Sequence, residues 1–181
     1  MSHIKLGSLV TLIQKQTERH FTLHLKGNAG FSWKSCNSAT DPLTVISLTV
    51  EPDPIVLSKE NLTLSLIVNS TKQLSPPIPM ALTIERKTGF FGLSFKIPCV
   101  NNLGSCTTAD VCEMCLQYQK QNQNLSCECP FKVGLHTFPK TTILLGKDIP
   151  NSFTGDYKIK ADFTSKEGHA GCVQLEIKIV K

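Results

Sequence analysis

The sequence predicts an all-β domain: an antiparallel sandwich, cup or barrel, stapled by disulfides. Three observations carry this. Apolar residues alternate with polar ones at period 2, proline and glycine punctuate the runs, and eight cysteines are spread through 181 residues. Strand side chains point to opposite faces in turn, so each run reads as a strand with one wet face. Antiparallel sheets accommodate that arrangement and parallel ones rarely do.

The runs follow in chain order. Ile46, Leu48 and Val50 alternate with Ser47 and Thr49; Leu62, Leu64, Leu66 and Val68 alternate with Thr63 and Ser65. Met80, Leu82 and Ile84 continue the pattern, followed by Phe91, Leu93, Phe95 and Ile97. Tyr157, Ile159, Ala161 and Phe163 stand against Lys158, Lys160 and Asp162. Val173, Leu175, Ile177 and Ile179 then face away from Gln174, Glu176 and Lys178. Glu51-Pro52-Asp53-Pro54 and Ser75-Pro76-Pro77 break pairing, because proline lacks the N–H that a ladder needs. Gly89, Gly92, Gly104, Gly134, Gly155 and Gly168 mark further turns or bulges. One short helix is expected over residues 107–119, capped by Thr108 or Asp110.

Composition narrows the class. A hydrophobic fraction of 40%, with 11 glycines besides, lies in the globular range and excludes disorder for most of the chain. No run approaches the ~18 consecutive apolar residues of a membrane-spanning helix. Residues 1–30 carry four Lys/Arg and one Glu, so the remainder holds fifteen basic and thirteen acidic residues. That balance is no signature of nucleic-acid binding. It leaves room for mild attraction to an anionic lipid surface. Residues 1–30 show neither a clean apolar core nor a cleavage site for secretion. They are read as an atypical segment outside the fold, and residues 31–181 as the domain.

An even number of dispersed cysteines favours disulfides and an oxidising compartment. Spacing alone leaves roughly a hundred pairings open. The competing reading is a four-thiolate zinc site built from Cys112, Cys115, Cys127 and Cys129. The second pair is one residue too tight for the usual knuckle, and four cysteines would remain unexplained, so no metal is expected. Sequons at Asn61, Asn69 and Asn124 agree with a secretory route.

No nucleophile elbow, zinc-protease motif or phosphate-cradling loop occurs. Beyond residue 30 the histidines are His136 and His169. A lipid esterase using either is the weakest reading, and the chain is taken as non-enzymatic, without a cofactor. Large apolar residues on loops are more informative: Phe90-Phe91 lies between Gly89 and Gly92, and Phe153 between Pro150 and Gly155. Such residues either cap the core or face a partner or lipid.

A set of strings then carries a resemblance. Phe31-Ser32-Trp33, Cys36, Asp41-Pro42 and Ser47-Leu48-Thr49-Val50-Glu51-Pro52-Asp53-Pro54 resemble the ganglioside GM2 activator family. So do Asn61-Leu62-Thr63-Leu64-Ser65, Lys96-Ile97-Pro98-Cys99 and Gly104-Ser105-Cys106-Thr107. Cys127-Glu128-Cys129-Pro130-Phe131-Lys132, Phe138-Pro139-Lys140, Thr154-Gly155-Asp156-Tyr157 and Gly171-Cys172 complete the likeness. It spans residues 31–181.

The resemblance implies a β-cup: two antiparallel sheets enclosing a large apolar cavity. It implies a lysosomal or secreted glycoprotein that lifts a ganglioside, or another glycosphingolipid or phospholipid, from an anionic lysosomal membrane surface and presents it to β-hexosaminidase A. A lipid-recognition module that activates no hydrolase is the alternative. The implied disulfides are Cys36–Cys172, Cys99–Cys106, Cys112–Cys129 and Cys115–Cys127, and the implied glycan site is Asn61 ahead of Asn69 and Asn124. Cavity and rim would be lined by Trp33, Phe90, Phe91, Leu93, Phe95, Ile97, Phe131, Phe138, Phe153, Tyr157 and Ile159. Three departures stand out. The Cys112–Cys115 segment is shorter than in the family, Ser94 replaces a rim tryptophan, and a second rim tryptophan falls near Phe153.

Overall fold

The structure, a computed structural model, describes residues 30–58, 61–89, 93–101, 103–121, 127–144 and 151–181. In chain order it contains β1 (Ser32–Ser35), β2 (Leu43–Glu51), β3 (Ile55–Val56), β4 (Asn61–Ser70), β5 (Met80–Lys87), β6 (Ser94–Lys96) and β7 (Thr107–Thr108). Helix α1 (Val111–Gln121), β8 (Gly134–Leu144), a 3-10 turn (Asn151–Phe153), β9 (Gly155–Ser165) and β10 (Gly168–Val180) follow. The larger sheet runs β1-β10-β9-β5-β6, with β3 beside β10 and β7 beside β5. The smaller runs β2-β4-β8. Neighbours are antiparallel except β3, which runs parallel to β10.

The alternating runs generate these sheets, and register places their apolar phases on facing surfaces. Across the larger sheet, Trp33, Leu175, Ile159 and Ile84 form one row. Ile177, Tyr157, Arg86 and Phe95 form the next. The opposite face carries the charges, with Lys158–Glu85 at 3.8 Å, Lys87–Glu176 at 2.8 Å and Lys160–Asp162 at 2.9 Å.

Besides the passage of β2 through Pro52–Pro54 into β3 beside β10, the two sheets are joined at the opposite end. There Leu48, Ala161 and Val173 are buried, packed by Phe31, Trp33, Val45, Leu64, Leu66 and Leu82. An adjoining cluster buries Leu74, Ile78, Cys112, Phe131 and Ala170. Asn37 bridges the sheets: its Nδ2 donates to the Leu43 carbonyl at 2.6 Å, while its Oδ1 accepts from Cys172 N–H at 2.6 Å. Gly171 permits the approach, since a Cβ there would stand 2.6 Å from the Leu43 carbonyl oxygen. The disulfides are Cys36–Cys172, Cys99–Cys106, Cys112–Cys129 and Cys115–Cys127. The thiols that a zinc site would require are therefore bonded to one another.

Three local expectations are corrected. The helix starts at Val111, not near residue 107, because Thr107 and Thr108 pair with β5 as β7. Asp110 caps it, its Oδ1 accepting from Cys112 N–H and Ile78 N–H, both at 3.0 Å. In β2 a bulge between Val45 and Ser47 leaves Ile46 52% exposed, and Val45 takes the inward place. Of the run expected from Phe91 to Ile97, residues 91 and 92 lie outside the described residues, and over 93–97 the strand is confined to β6, because Pro98 cannot continue the ladder and the Cys99–Cys106 loop turns back. Ser105 then covers the β5 edge, its hydroxyl accepting from Ile84 N–H at 2.9 Å.

Candidate functional site

Away from the joined end, the facing surfaces are apolar but not closed over. Val50, Leu62, Ile84, Ile159 and Ile177 are only half-buried although all lie in the apolar phase of their strands. In a filled sandwich of this size such residues would be nearly inaccessible. The sheets instead approach one another where β2 meets β1 and β10. Together the facing surfaces form an apolar trough, closed by Asn37 and the two clusters at one end.

Four of the expected lining residues lie on one surface. Trp33 and Ile159 share a row, Phe95 and Tyr157 share the next, and Ile97 N–H donates to the Ile84 carbonyl beside them. Phe138 faces them from the smaller sheet, in register with Leu66 and Leu48. Phe131 stands apart in the cluster at the joined end, with its ring centroid 6.4 Å from that of Phe138. Phe95 is 48% exposed, Leu93 64% and Phe153 43%, so these three present apolar surface to solvent at the free end. Phe90 and Phe91 lie outside the described residues.

The free end has its own scaffold. The Tyr157 hydroxyl donates to the Phe153 carbonyl at 2.7 Å, fixing the 3-10 turn over the start of β9. Tyr157 is buried, and burial raises its phenol pKa. Beside it Arg86 Nη2 donates to the Thr154 carbonyl at 2.6 Å. Gly155 makes room for that side chain: it sits at φ +146°, and a Cβ would meet Arg86 Nε at 3.0 Å.

Among the described residues, neither His136 nor His169 sits against a nucleophile that it could activate. His136 Nε2 lies 2.7 Å from the Lys132 carbonyl, and its ring meets the Phe131 ring edge-on. His169 Nδ1 lies 2.9 Å from Asp41 Oδ1 and its Nε2 3.5 Å from Asp162 Oδ1. Ser38 is nearby, but its hydroxyl donates to Asp41 at 2.6 Å. A nucleophile activated by histidine requires that proton to face the imidazole. Among the sequons, Asn61 is exposed at the first residue of β4, Asn69 is half-buried within that strand, and Asn124 lies outside the described residues.

Arg86 and Asn37 were not singled out by the sequence reading. Arg86 had a legible signal: it occupies the fourth position of the phase set by Met80, Leu82 and Ile84. Asn37 had none, because its role depends on Cys172, 135 residues further along the chain.

A family comparison gives this architecture its class. Residues 30–179 match the model of the ML domain. The ganglioside GM2 activator of Macaca fascicularis is 33% identical over 164 residues, covering 84% of each chain. That of Mus musculus is 32% identical over 157 residues, covering 81% of this chain and 80% of its own. The chain thus belongs to the ML domain family and, within it, to the ganglioside GM2 activator family. Among solved structures, it is similar to a Niemann-Pick type C2 protein from Japanese carpenter ant (TM-score 0.48, 13% identity, covering 82% of this chain and 99% of that one). It is also similar to chicken MD-1 complexed with lipid IVa (TM-score 0.43, 14% identity, covering 82% and 88%).

Proposed function

We propose that this chain is a non-enzymatic lipid carrier that seats acyl chains between its sheets and leaves the headgroup outside. The observation that supports it best is the half-exposed aliphatic surface on the facing sides of the two sheets. Each buried CH₂ contributes about 0.8 kcal/mol, so an alkyl chain drawn from a bilayer is well compensated by such a surface. Phe95 and Phe153, with Phe90 and Phe91, would enter the membrane surface and start extraction. The family supports a narrower reading: the cargo is a ganglioside-like glycosphingolipid, presented to β-hexosaminidase A at an anionic lysosomal membrane, with a glycan on Asn61.

Transfer of labelled ganglioside between liposomes tests this reading. Wild-type protein is expected to accelerate it, and Phe153→Ala with Phe95→Ala to slow it about tenfold, the scale of burying a phenylalanine. Absence of transfer by the wild-type chain would falsify the carrier reading. Adding β-hexosaminidase A is expected to give stimulated cleavage. Transfer without stimulation supports the module that activates no hydrolase, a reading favoured by exposed Ser94 where the family bears a rim tryptophan.

A further inference from the structure

The inner surface of the larger sheet is apolar at nearly every register position, and Arg86 breaks the rule. On β5 the inward phase is Met80, Leu82, Ile84 and Arg86, while Glu85 and Lys87 point outward with the other charges. Its row neighbours are Ile177, Tyr157 and Phe95. On the outer face Glu85, Glu176 and Asp162 each have a lysine partner. No ion pair joins Arg86 to a carboxylate among the described residues. One guanidinium nitrogen is spent on the Thr154 carbonyl. A guanidinium has five N–H donors in a planar fork, and desolvating it against aromatic and aliphatic neighbours is costly unless an anion arrives.

Its position matters as much as its charge. Arg86 is the penultimate residue of β5, at the free end of the trough, beside the turn that carries Phe153. A lipid with its tails on Ile84, Ile159 and Leu175 would bring its headgroup past this residue. The fork matches a carboxylate or a phosphate with two parallel hydrogen bonds, which a lysine ammonium cannot reproduce.

We propose that Arg86 is an anion subsite at the mouth of the trough, which takes the acidic group of a lipid headgroup and makes this carrier selective for acidic over neutral lipids. The inference rests on the carrier reading above. It adds the residue that reads the acidic group.

The competing role for Arg86 is structural, a strut under residues 151–154, and the experiment separates the two. Extraction from liposomes is measured for a ganglioside with one sialic carboxylate and for its asialo counterpart, which share a ceramide. Phosphatidylglycerol and phosphatidylcholine form a second pair for the phosphate source. Free N-acetylneuraminic acid or inorganic phosphate at millimolar concentration reports whether an anion binds without a lipid tail. Wild-type protein is expected to favour the acidic member of at least one pair by roughly tenfold, the scale of a charge-assisted hydrogen bond. Arg86→Gln should bring the ratio of acidic to neutral extraction down to about one, whatever happens to the rate common to both lipids, and Arg86→Lys should retain part of that ratio. Equal loss of both lipids in Arg86→Gln would assign the residue to support alone. An undiminished preference in that variant would place the reading of charge elsewhere. If the wild-type protein extracts neither member of either pair, the carrier reading fails before this one is reached.

Discussion

His169 shows how one side chain couples stability to acidity. It lies between Asp41 on the β1–β2 connection and Asp162 on β9, with Lys160 also on Asp162 and the Lys72–Glu167 pair across a shallow hollow of about 260 Å³. The hydrogen bond to Asp41 raises the His169 pKa above its ordinary 6.5, against the opposing effect of burial. The Ser38 hydroxyl, and then His169, lower that of Asp41 below 3.8. The signs define a window. His169 contributes fully below 6.5 and loses its contribution as pH rises through its raised value; Asp41 contributes above 3.8 and loses it as pH falls through its lowered one. Thermal melts of His169→Gln beside wild type should show the widest gap between pH 3.8 and 6.5, closing as pH rises through the raised His169 value. A gap that stays constant as pH rises through that value would remove the histidine from the account. The sequence contained both residues but not their meeting, because 128 positions separate them along the chain.

Elements follow their sequence signals wherever the signal is repeated and fail where a single residue decides. The strands later numbered β4, β9 and β10 were legible because six or more residues keep strict alternation, and one slipped residue would invert every side chain. The β2 bulge was not legible: Val45, Ile46 and Leu48 are all apolar, so nothing in the pattern says which one is extruded. Helix α1 was expected too early, since threonines serve equally in a strand edge and near a cap. The Asp110 carboxylate settles it by gripping two separate segments, Cys112 of the helix and Ile78 before β5. Asp110→Ala should therefore cost about 1–2 kcal/mol, more than an isolated cap that serves only its own helix. Chemical denaturation measures this. A loss below about 0.5 kcal/mol would show that the Ile78 bond adds nothing.

At the scale of the whole molecule, the trough was legible only through the resemblance. Alternation identifies faces but not whether two faces close on each other; that depends on how the sheets are joined. Cys36–Cys172 ties the first strand to the last across 136 positions, with Cα atoms 4.9 Å apart. By chain-entropy reasoning so long a loop is worth about 4–5 kcal/mol. The Cys36→Ser, Cys172→Ser double variant should lose stability of that order by denaturant titration, while the remaining three disulfides persist by mass. A loss under about 1 kcal/mol would mean that the Asn37 bridge and the buried clusters suffice. One consequence follows from where the sheets are fastened. Asn37 bridges them at one extremity, and at the other β2 passes through only Pro52–Pro54 into β3, which pairs with Ile179 and Val180 of β10. Strand β2 is therefore moored at both ends and lies nearest the larger sheet, against β1 and β10. The order β2-β4-β8 carries the smaller sheet away from that mooring. The space between the sheets is thus a wedge, narrow along β2 and open on the side of β8.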